Sequence, residues 1–268
     1  MQHVLPSALL LGAICIAAPP ASAEENPAAR AQRWHELQHA IFGNRPVQDG
    51  ATILALQAPP RADDAALVPM AITTTNQAAV KGLYLVIDNN PSPLAAHFTF
   101  GPDADTHEIH LRVRVDQYTD VHAVAETPDG KLYAVSQYVK ASGGCSAPAG
   151  SNDEAALQGL GDMKLRVLAA AAPGKPLPVQ LLIRHPNFNG MQMDQVSRLY
   201  TPARFLDTVD VTYNGAQVFH LDSDISMSTN PAISFAFLPQ DHGQLKVLAH
   251  DSKNTSFSQS FDIPVPGS

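Results

Sequence analysis

The stretch Lys81–Asp88, "KGLYLVID", indicates the fold class, because its apolar side chains recur with a period of two. Leu83, Leu85 and Ile87 point to one face of an extended strand, as expected when one face of a strand lies in a core. Neighbouring segments repeat this alternation over short lengths, with turn residues between them. Such a series is typical of an antiparallel β-sandwich.

Two series of short strands are predicted along the chain. The first series runs at roughly 51–57, 68–74, 81–88, 95–100, 108–115, 121–127 and 131–139. The second series runs at roughly 162–169, 178–184, 207–213, 216–221, 232–238, 244–250 and 256–263. Asp129-Gly130 and Asn214-Gly215 predict hairpin turns within them. In one strand, "HLRVRV", the alternation places Arg112 and Arg114 on the face opposite the apolar residues.

One helix is predicted ahead of the strands, over residues 27–42. It begins with a proline, which fits a first helical turn. Trp34, Leu37 and Ile41 form an apolar stripe at helical spacing, and Gly43 is a typical stop signal. The sequence therefore predicts an all-β protein of two sandwich domains in tandem, with an N-terminal helix on the first. We expect a signal peptide at 1–23, a first sandwich at 27–140, an arm at 141–160 and a second sandwich at 161–268.

The beginning of the chain resembles a secretory signal. An apolar run at 8–18 is too short to span a bilayer, and "ASA" precedes Glu24. We expect cleavage after Ala23, which removes Cys15 and leaves Cys145 as the single cysteine of an exported chain. A lone cysteine in an oxidising compartment is either paired with another molecule or free to react.

Charge and hydropathy exclude two classes of partner. The chain has 17 Lys and Arg against 25 Asp and Glu, a net charge of −8, whereas phosphate contacts require a basic face. We therefore expect no nucleic-acid partner. No other apolar run is long enough for a membrane span, so no membrane contact is expected after signal cleavage.

Two sites compete for the chemistry, and the first is "HELQH". On a helix, His35 and His39 lie one turn apart and could bind zinc, with Glu36 as general base. The apolar stripe already explains this helix as a packing element, and no second helix follows to supply a third ligand. We therefore expect no metal here, and a zinc hydrolase is the weakest alternative.

The second site is Cys145, within "KASGGCSAPAGSND". Its neighbours Gly143, Gly144 and Ser146 are small, and few side chains near it could form a core. The segment therefore predicts a flexible arm that buries nothing and carries an exposed thiol. Because no histidine lies nearby in sequence, we expect an ordinary thiol pKa of about 8.5. Such a thiol suits a handle for other enzymes better than a catalytic nucleophile.

The first half contains the stretches "IFGNRPVQDG", "APPRADDAALVPMAI", "LVIDNNPSPLAAHFTF" and the arm "GGC", and the second half contains "LLIRHPNFNGM" and "DSDISMSTNPAISFAF". In these stretches the first half resembles SoxY and the second half resembles SoxZ. The chain therefore resembles a fusion of this carrier pair of bacterial sulfur-compound oxidation. The arm departs from the family pattern, Gly-Gly-Cys-Gly-Gly at a free chain end, because "GGCSA" continues into the second half. This arrangement resembles single-chain carriers associated with quinoprotein dehydrogenases.

The resemblance implies two immunoglobulin-like sandwiches and a non-enzymatic, periplasmic role without a cofactor. It implies that sulfur intermediates are attached to Cys145, with Gly143, Gly144 and Ser146 in the flexible arm. The implied partners are periplasmic sulfur-oxidising enzymes or a quinoprotein dehydrogenase system, and the default cargo derives from thiosulfate. The alternative is a binding or accessory module for a periplasmic dehydrogenase, in which Cys145 is incidental or a dimer link.

Processing of the chain can be tested directly. If the "ASA" segment directs signal cleavage, amino-terminal sequencing of exported protein should give a start at Glu24. A start far from Glu24, or a lipid retained on Cys15, would contradict this expectation and leave a second cysteine in the mature chain.

Overall fold

A computed structural model describes residues 26–75, 79–146, 153–194 and 198–265. The predicted signal peptide at 1–23 lies outside these residues. Within them, the protein has no helix with the length and apolar character needed to cross a membrane.

The described chain consists of one long helix, one short helix and fifteen strands. The helices are α1 (Pro27–Phe42) and α2 (Asp153–Leu157). The strands of the first half are β1 (Val47–Asp49), β2 (Leu54–Gln57), β3 (Val68–Thr74), β4 (Gly82–Ile87), β5 (Leu94–Phe100), β6 (Ala104–Val113), β7 (Thr119–Glu126) and β8 (Leu132–Val139). The strands of the second half are β9 (Met163–Val167), β10 (Leu177–Ile183), β11 (Leu206–Tyr213), β12 (Ala216–Ser223), β13 (Ala232–Phe237), β14 (Gly243–Asp251) and β15 (Ser256–Ile263).

The strands form two sheets, and both sheets run through both halves of the chain. The larger sheet has the order β1-β8-β7-β4-β5-β12-β11-β14-β15, and the smaller has the order β2-β3-β6-β13-β10-β9. The halves therefore meet where β5 pairs with β12 and where β6 pairs with β13, both antiparallel. We call these two strand pairings the seam. The sequence predicted two sandwiches in tandem but not that they share both sheets.

The hydrophobic core is also continuous across the seam. One cluster of buried side chains extends from Leu54 in the first half to Val265 near the end of the second. Phe98 on β5 contacts Phe219 on β12 edge to face, with ring centroids 5.4 Å apart. Because such packing adds to the strand hydrogen bonds, the two halves should depend on each other for stability.

Helix α1 has the predicted ends and packs on the outer face of the larger sheet. Its first residue is proline, and the amide of Gly43, at φ 64°, donates to the carbonyl of His39. Trp34 stacks on His122 of β7 at 3.6 Å between ring centroids. Arg30 forms a bidentate ion pair with Asp120, at 2.6 and 2.7 Å. The helix is thereby fixed to the first half of the chain.

The prediction of an all-β fold with immunoglobulin-like sandwiches and an N-terminal helix is confirmed. Most predicted strands agree with the structure to within about two residues at each end, because the alternation of apolar residues marks them well. The exceptions are β2, which begins three residues late, and β6, which starts earlier and ends at Val113. Strand β1 and helix α2 were missed, since three and five residues are too short to show a period.

The shared sheets predict that the halves unfold together. The amide of Gly101 donates to the carbonyl of Val218 across the seam, and a Cβ on Gly101 would lie 1.8 Å from the carbonyl oxygen of Gln217. Gly101→Ala should therefore destabilise the fold by about 1–3 kcal/mol, the usual range for overpacking. Calorimetry should show one transition that moves to lower temperature as a whole.

Gly130→Ala is the control for this experiment. Gly130 lies in a hairpin turn with φ 79° and no atom near an added Cβ, so its replacement reports only the conformational cost. Two separate transitions, of which Gly101→Ala shifts only one, would show that the halves are independent domains.

Candidate functional site

The residues that lead to the cysteine are hydrogen-bonded to the segment that follows β6. The amide of Gly143 donates to the carbonyl of Asp116 (2.8 Å), and the amide of Gly144 donates to the carbonyl of Val115 (3.1 Å). The amide of Cys145 donates to the Asp116 carboxylate at 3.3 Å. We call this arrangement the docked arm. The prediction that the arm buries nothing is therefore wrong for its described first part.

The two glycines allow the arm to dock. A Cβ on Gly144 would lie 2.0 Å from the carbonyl oxygen of Ala65 and 2.6 Å from that of Val115, so only glycine fits there. Gly143 has φ 77°, which glycine adopts at little cost. Ser146, by contrast, is exposed, and its hydroxyl donates to the carbonyl of Gly143 at 3.2 Å. The flexibility assigned to these three residues stays a prediction.

The thiol of Cys145 is fully buried, so the prediction of an exposed thiol is wrong. Burial and, to a smaller extent, the charge of Asp116 together raise its pKa to about 12, and Arg114 partly opposes them. The expectation of an ordinary pKa is therefore wrong as well. Because the thiolate is the nucleophilic form, the docked thiol should be nearly inert at neutral pH.

The second half of the chain closes over the cysteine through the loop after β10. The side-chain amide of Asn189 donates to the carbonyl of Cys145 at 2.6 Å, and its oxygen accepts from the amide of Met191. Asn187 is fully buried, and its oxygen accepts from the amide of Leu206 at 3.0 Å. These bonds help to hold the loop in place, because the buried side-chain amides of Asn187 and Asn189 have partners for both their nitrogen and their oxygen.

Arg114 lies between the arm and the second half. Its side chain is almost completely buried. Its guanidinium donates to the hydroxyl of Thr229 (2.8 Å) and, at 3.4 Å each, to the carbonyls of Asn187 and Gly144. Burial lowers its pKa, and the nearby Cys145 counteracts this. The alternation of "HLRVRV" predicted that Arg114 lies on the same face as Arg112, opposite the apolar residues. This prediction is wrong, because β6 ends at Val113 and Arg114 no longer follows the strand geometry.

Further buried polar groups join the two halves beside Arg114. The side-chain amide of Asn90 donates to the carbonyl of Arg114 at 2.7 Å and to the hydroxyl of Ser226 at 2.9 Å. The amide of Arg114 donates to the carbonyl of Ser226 at 2.8 Å. The oxygen of Asn90 accepts from the amide of Asp116. The turn that ends β4 is thus tied to both the arm's binding segment and the second half.

Most of the stretches that carry the sequence resemblance meet at this place. Ala65, Asn90, Asn189 and Thr229 come from four different stretches quoted above, and all contact the arm or the residues that hold it. The structure therefore gathers these stretches around Cys145. Sequence reasoning found the cysteine but missed Arg114, Asp116, and the asparagines, whose roles depend on elements distant in the chain.

The other candidate, "HELQH", has a different setting. His35, Glu36 and His39 are all exposed on α1, away from its packed face. Across the described part of the chain, no three His, Cys, Asp or Glu side chains are grouped so that they could hold a metal ion.

Comparisons with known proteins assign the two halves to families. Residues 38–145 match the family model "Sulfur oxidation protein SoxY", and residues 164–262 match "Sulphur oxidation protein SoxZ". The first match ends at Cys145. Among solved structures, the sulfur carrier protein SoxY from Chlorobium limicola f thiosulfatophilum is similar, with 27% identity and a TM-score of 0.37, covering 42% of this chain and 96% of that chain. No match was found among curated proteins.

The docked arm predicts a strongly suppressed thiol. A shift in pKa from about 8.5 to about 12 lowers the thiolate fraction at neutral pH on the order of 10³-fold. Alkylation of Cys145 in folded protein should be slower than that of a free cysteine by a comparable factor. Molecules in which the arm is undocked react faster, so they make the observed factor smaller. Burial favours the neutral thiol, so docking is fully stable below about pH 8.5 and weakens as pH rises toward 12.

Gly144→Ala should release the arm, because the added methyl meets backbone atoms, and should raise the alkylation rate at pH 7 by at least tenfold. Ser146→Ala is the matched control, since it removes an exposed hydroxyl whose hydrogen bond, to the carbonyl of Gly143, lies within the arm and does not join the arm to the residues that dock it. Alkylation of the wild type at the rate of a free cysteine, or an unchanged rate in Gly144→Ala, would show that the docked arm does not govern reactivity.

Proposed function

The chain belongs to the SoxY and SoxZ families of sulfur oxidation proteins, which it joins in one polypeptide, and on this premise we propose that it is a covalent carrier of sulfur intermediates. The thiol of Cys145 is the attachment point. The protein performs no catalysis itself but holds the adduct and presents it to partner enzymes.

The position of Cys145 is the observation that carries this proposal. It is the last residue of the SoxY match, and both the SoxY segment, through Asp116, and the SoxZ segment, through Asn189, contact its backbone. The backbone groups of any buried residue need partners, but here the partners come from both segments and place the thiol where the two segments meet. A thiol that must be held and then released is expected to have such partners, each contributing only a modest hydrogen bond.

Carriage requires two states of the arm. In the docked state the thiol keeps its proton and is shielded from adventitious oxidation or exchange. In the undocked state it regains an ordinary pKa and becomes available for loading. Few interactions hold the described part of the arm, so a docking partner enzyme can offset their loss by contacts of its own.

If thiosulfate is the cargo, loading is an oxidation in which atoms and electrons balance as follows. The thiol loses its proton, and a sulfur–sulfur bond forms between Cys145 and the outer sulfur of thiosulfate, giving a cysteine S-thiosulfonate. Two electrons leave, and a partner oxidoreductase must accept them. These partners are sulfur-oxidising enzymes or a quinoprotein dehydrogenase system in the periplasm, where the predicted signal peptide would deliver the chain.

One observation favours the alternative function of an accessory module for a dehydrogenase. The thiol is buried and its pKa is raised, as for a cysteine with a packing role. The two functions differ in whether the thiol becomes accessible and whether it carries cargo in the host.

Analysis of protein from its native host separates them. The peptide that contains Cys145 should show added mass that corresponds to sulfur or thiosulfonate and disappears with reductant. Cys145→Ser should abolish sulfur-compound oxidation that depends on this protein, while Ser146→Ala should leave it intact. Full function in Cys145→Ser would refute the carrier and support the accessory module.

A further inference from the structure

We propose that Arg114 binds the anionic end of the cargo when the loaded arm is docked. The guanidinium, at the end of the seam, would then form a recognition site for a sulfonate attached to Cys145. This inference rests on the proposed carrier function and names the chemistry that the site selects.

One nitrogen of the guanidinium, Nε, is left without an acceptor. Its terminal nitrogens donate to Thr229 and, more weakly, to two backbone carbonyls, whereas Nε has no hydrogen-bond partner although it is buried. A buried N–H without a partner is costly, and native proteins rarely keep one without a reason. A sulfonate oxygen is a suitable acceptor, because guanidinium groups bind oxyanions through several donors at once.

The charge of Arg114 supports the same ligand, although the Asp116 carboxylate opposes an anion at the sulfur of Cys145 itself. No carboxylate of the described residues lies within 4.0 Å of the guanidinium. Asp116 is occupied by the amide of Cys145, and Asp64 is exposed to solvent and bonded to the amide of Ala66. The buried cation therefore lacks a contacting anion while the thiol is protonated, and such a cation is costly to keep. A sulfonate on Cys145 is ionised at neutral pH and would supply that anion.

The distance along the chain is short enough for this contact. Arg114 donates to the carbonyl of Gly144, the residue directly before the cysteine, so the guanidinium already adjoins the arm. The thiosulfonate extends the cysteine side chain by one sulfur and one sulfonate group. We infer that the arm docks more firmly when it carries an anionic adduct than when it carries a neutral one.

Two chemically defined adducts test this site without any partner enzyme. Tetrathionate converts the thiol into Cys145–S–S–SO₃⁻ with release of thiosulfate, and methyl methanethiosulfonate converts it into the neutral methyl disulfide. Each adduct is prepared on unfolded or high-pH protein and refolded. The rate of its reduction by dithiothreitol, which attacks both adducts through the same thiolate, then reports how well the docked arm shields it.

Arg114→Met removes the charge and keeps an unbranched but shorter side chain, and Arg112→Met is the matched control, because Arg112 is exposed two residues earlier. Arg114→Met should speed the reduction of the thiosulfonate by at least tenfold, about the loss of one charge-assisted hydrogen bond, with a much smaller effect on the methyl disulfide. Arg112→Met should change neither rate. Equal acceleration of both adducts would show that Arg114 only positions the arm.

A measurement on the unaltered residue keeps the test valid if Arg114→Met does not fold. The ¹⁵N–¹H resonance of Arg114 Nε should shift on conversion of the thiol to the thiosulfonate and shift little on conversion to the methyl disulfide. Identical spectra for the two adducts would refute the site. Because these probes need no host, a missing cargo in the host would refute the carrier function alone, and identical spectra would refute the sulfonate site alone.

Discussion

The antiparallel pairing of β5 with β12 and of β6 with β13 is the interaction on which the rest of the structure depends. It joins the halves through backbone hydrogen bonds and a common core, so the loops at the end of the seam keep fixed positions. The segment after β6, the arm, and the loop after β10 meet there although they are far apart in the chain. Without the shared sheets, the cysteine would have partners from the first half only.

Buried polar groups give this meeting point its specificity. Asn90, Asn187 and Asn189 use their side-chain amides to satisfy backbone groups that the loops leave unpaired. Apolar packing would tolerate many arrangements of the arm, whereas hydrogen bonds in a buried setting favour the one in which each group has its partner. The observed docking is thus set by a network of modest individual strength.

The fold could largely be predicted from the sequence, because alternation and turn residues are local signals. Leu83, Leu85 and Ile87 indicate a core-facing strand whatever surrounds them, and Asn214-Gly215, with φ 48° and 87°, forms the predicted hairpin turn. The pairing of strands across the seam could not be predicted, since any alternating strand can pair with several others.

The candidate site was predictable only in part, for the same physical reason. Cys145 was identified by its position in the chain, but the residues around it do not reveal that Asn189 binds its carbonyl and that Arg114 binds the carbonyl of Gly144. A segment of small residues forms an exposed loop when nothing covers it. The same segment packs closely when another backbone lies against it, as at Gly144, where an added Cβ would lie 2.0 Å from the carbonyl oxygen of Ala65. The local sequence is the same in both cases.

The arm both carries Cys145 and connects the two halves of the chain. Because the halves share their sheets, the connection is dispensable. The arm is the covalent connection between the halves, yet the strand pairings and the common core already hold those halves together. A proteolytic nick after Ser146 would therefore leave the two fragments associated as a noncovalent pair. Cys145 would then lie one residue from a free carboxyl end, and its thiol would be carried on a tail with one attachment instead of a loop with two.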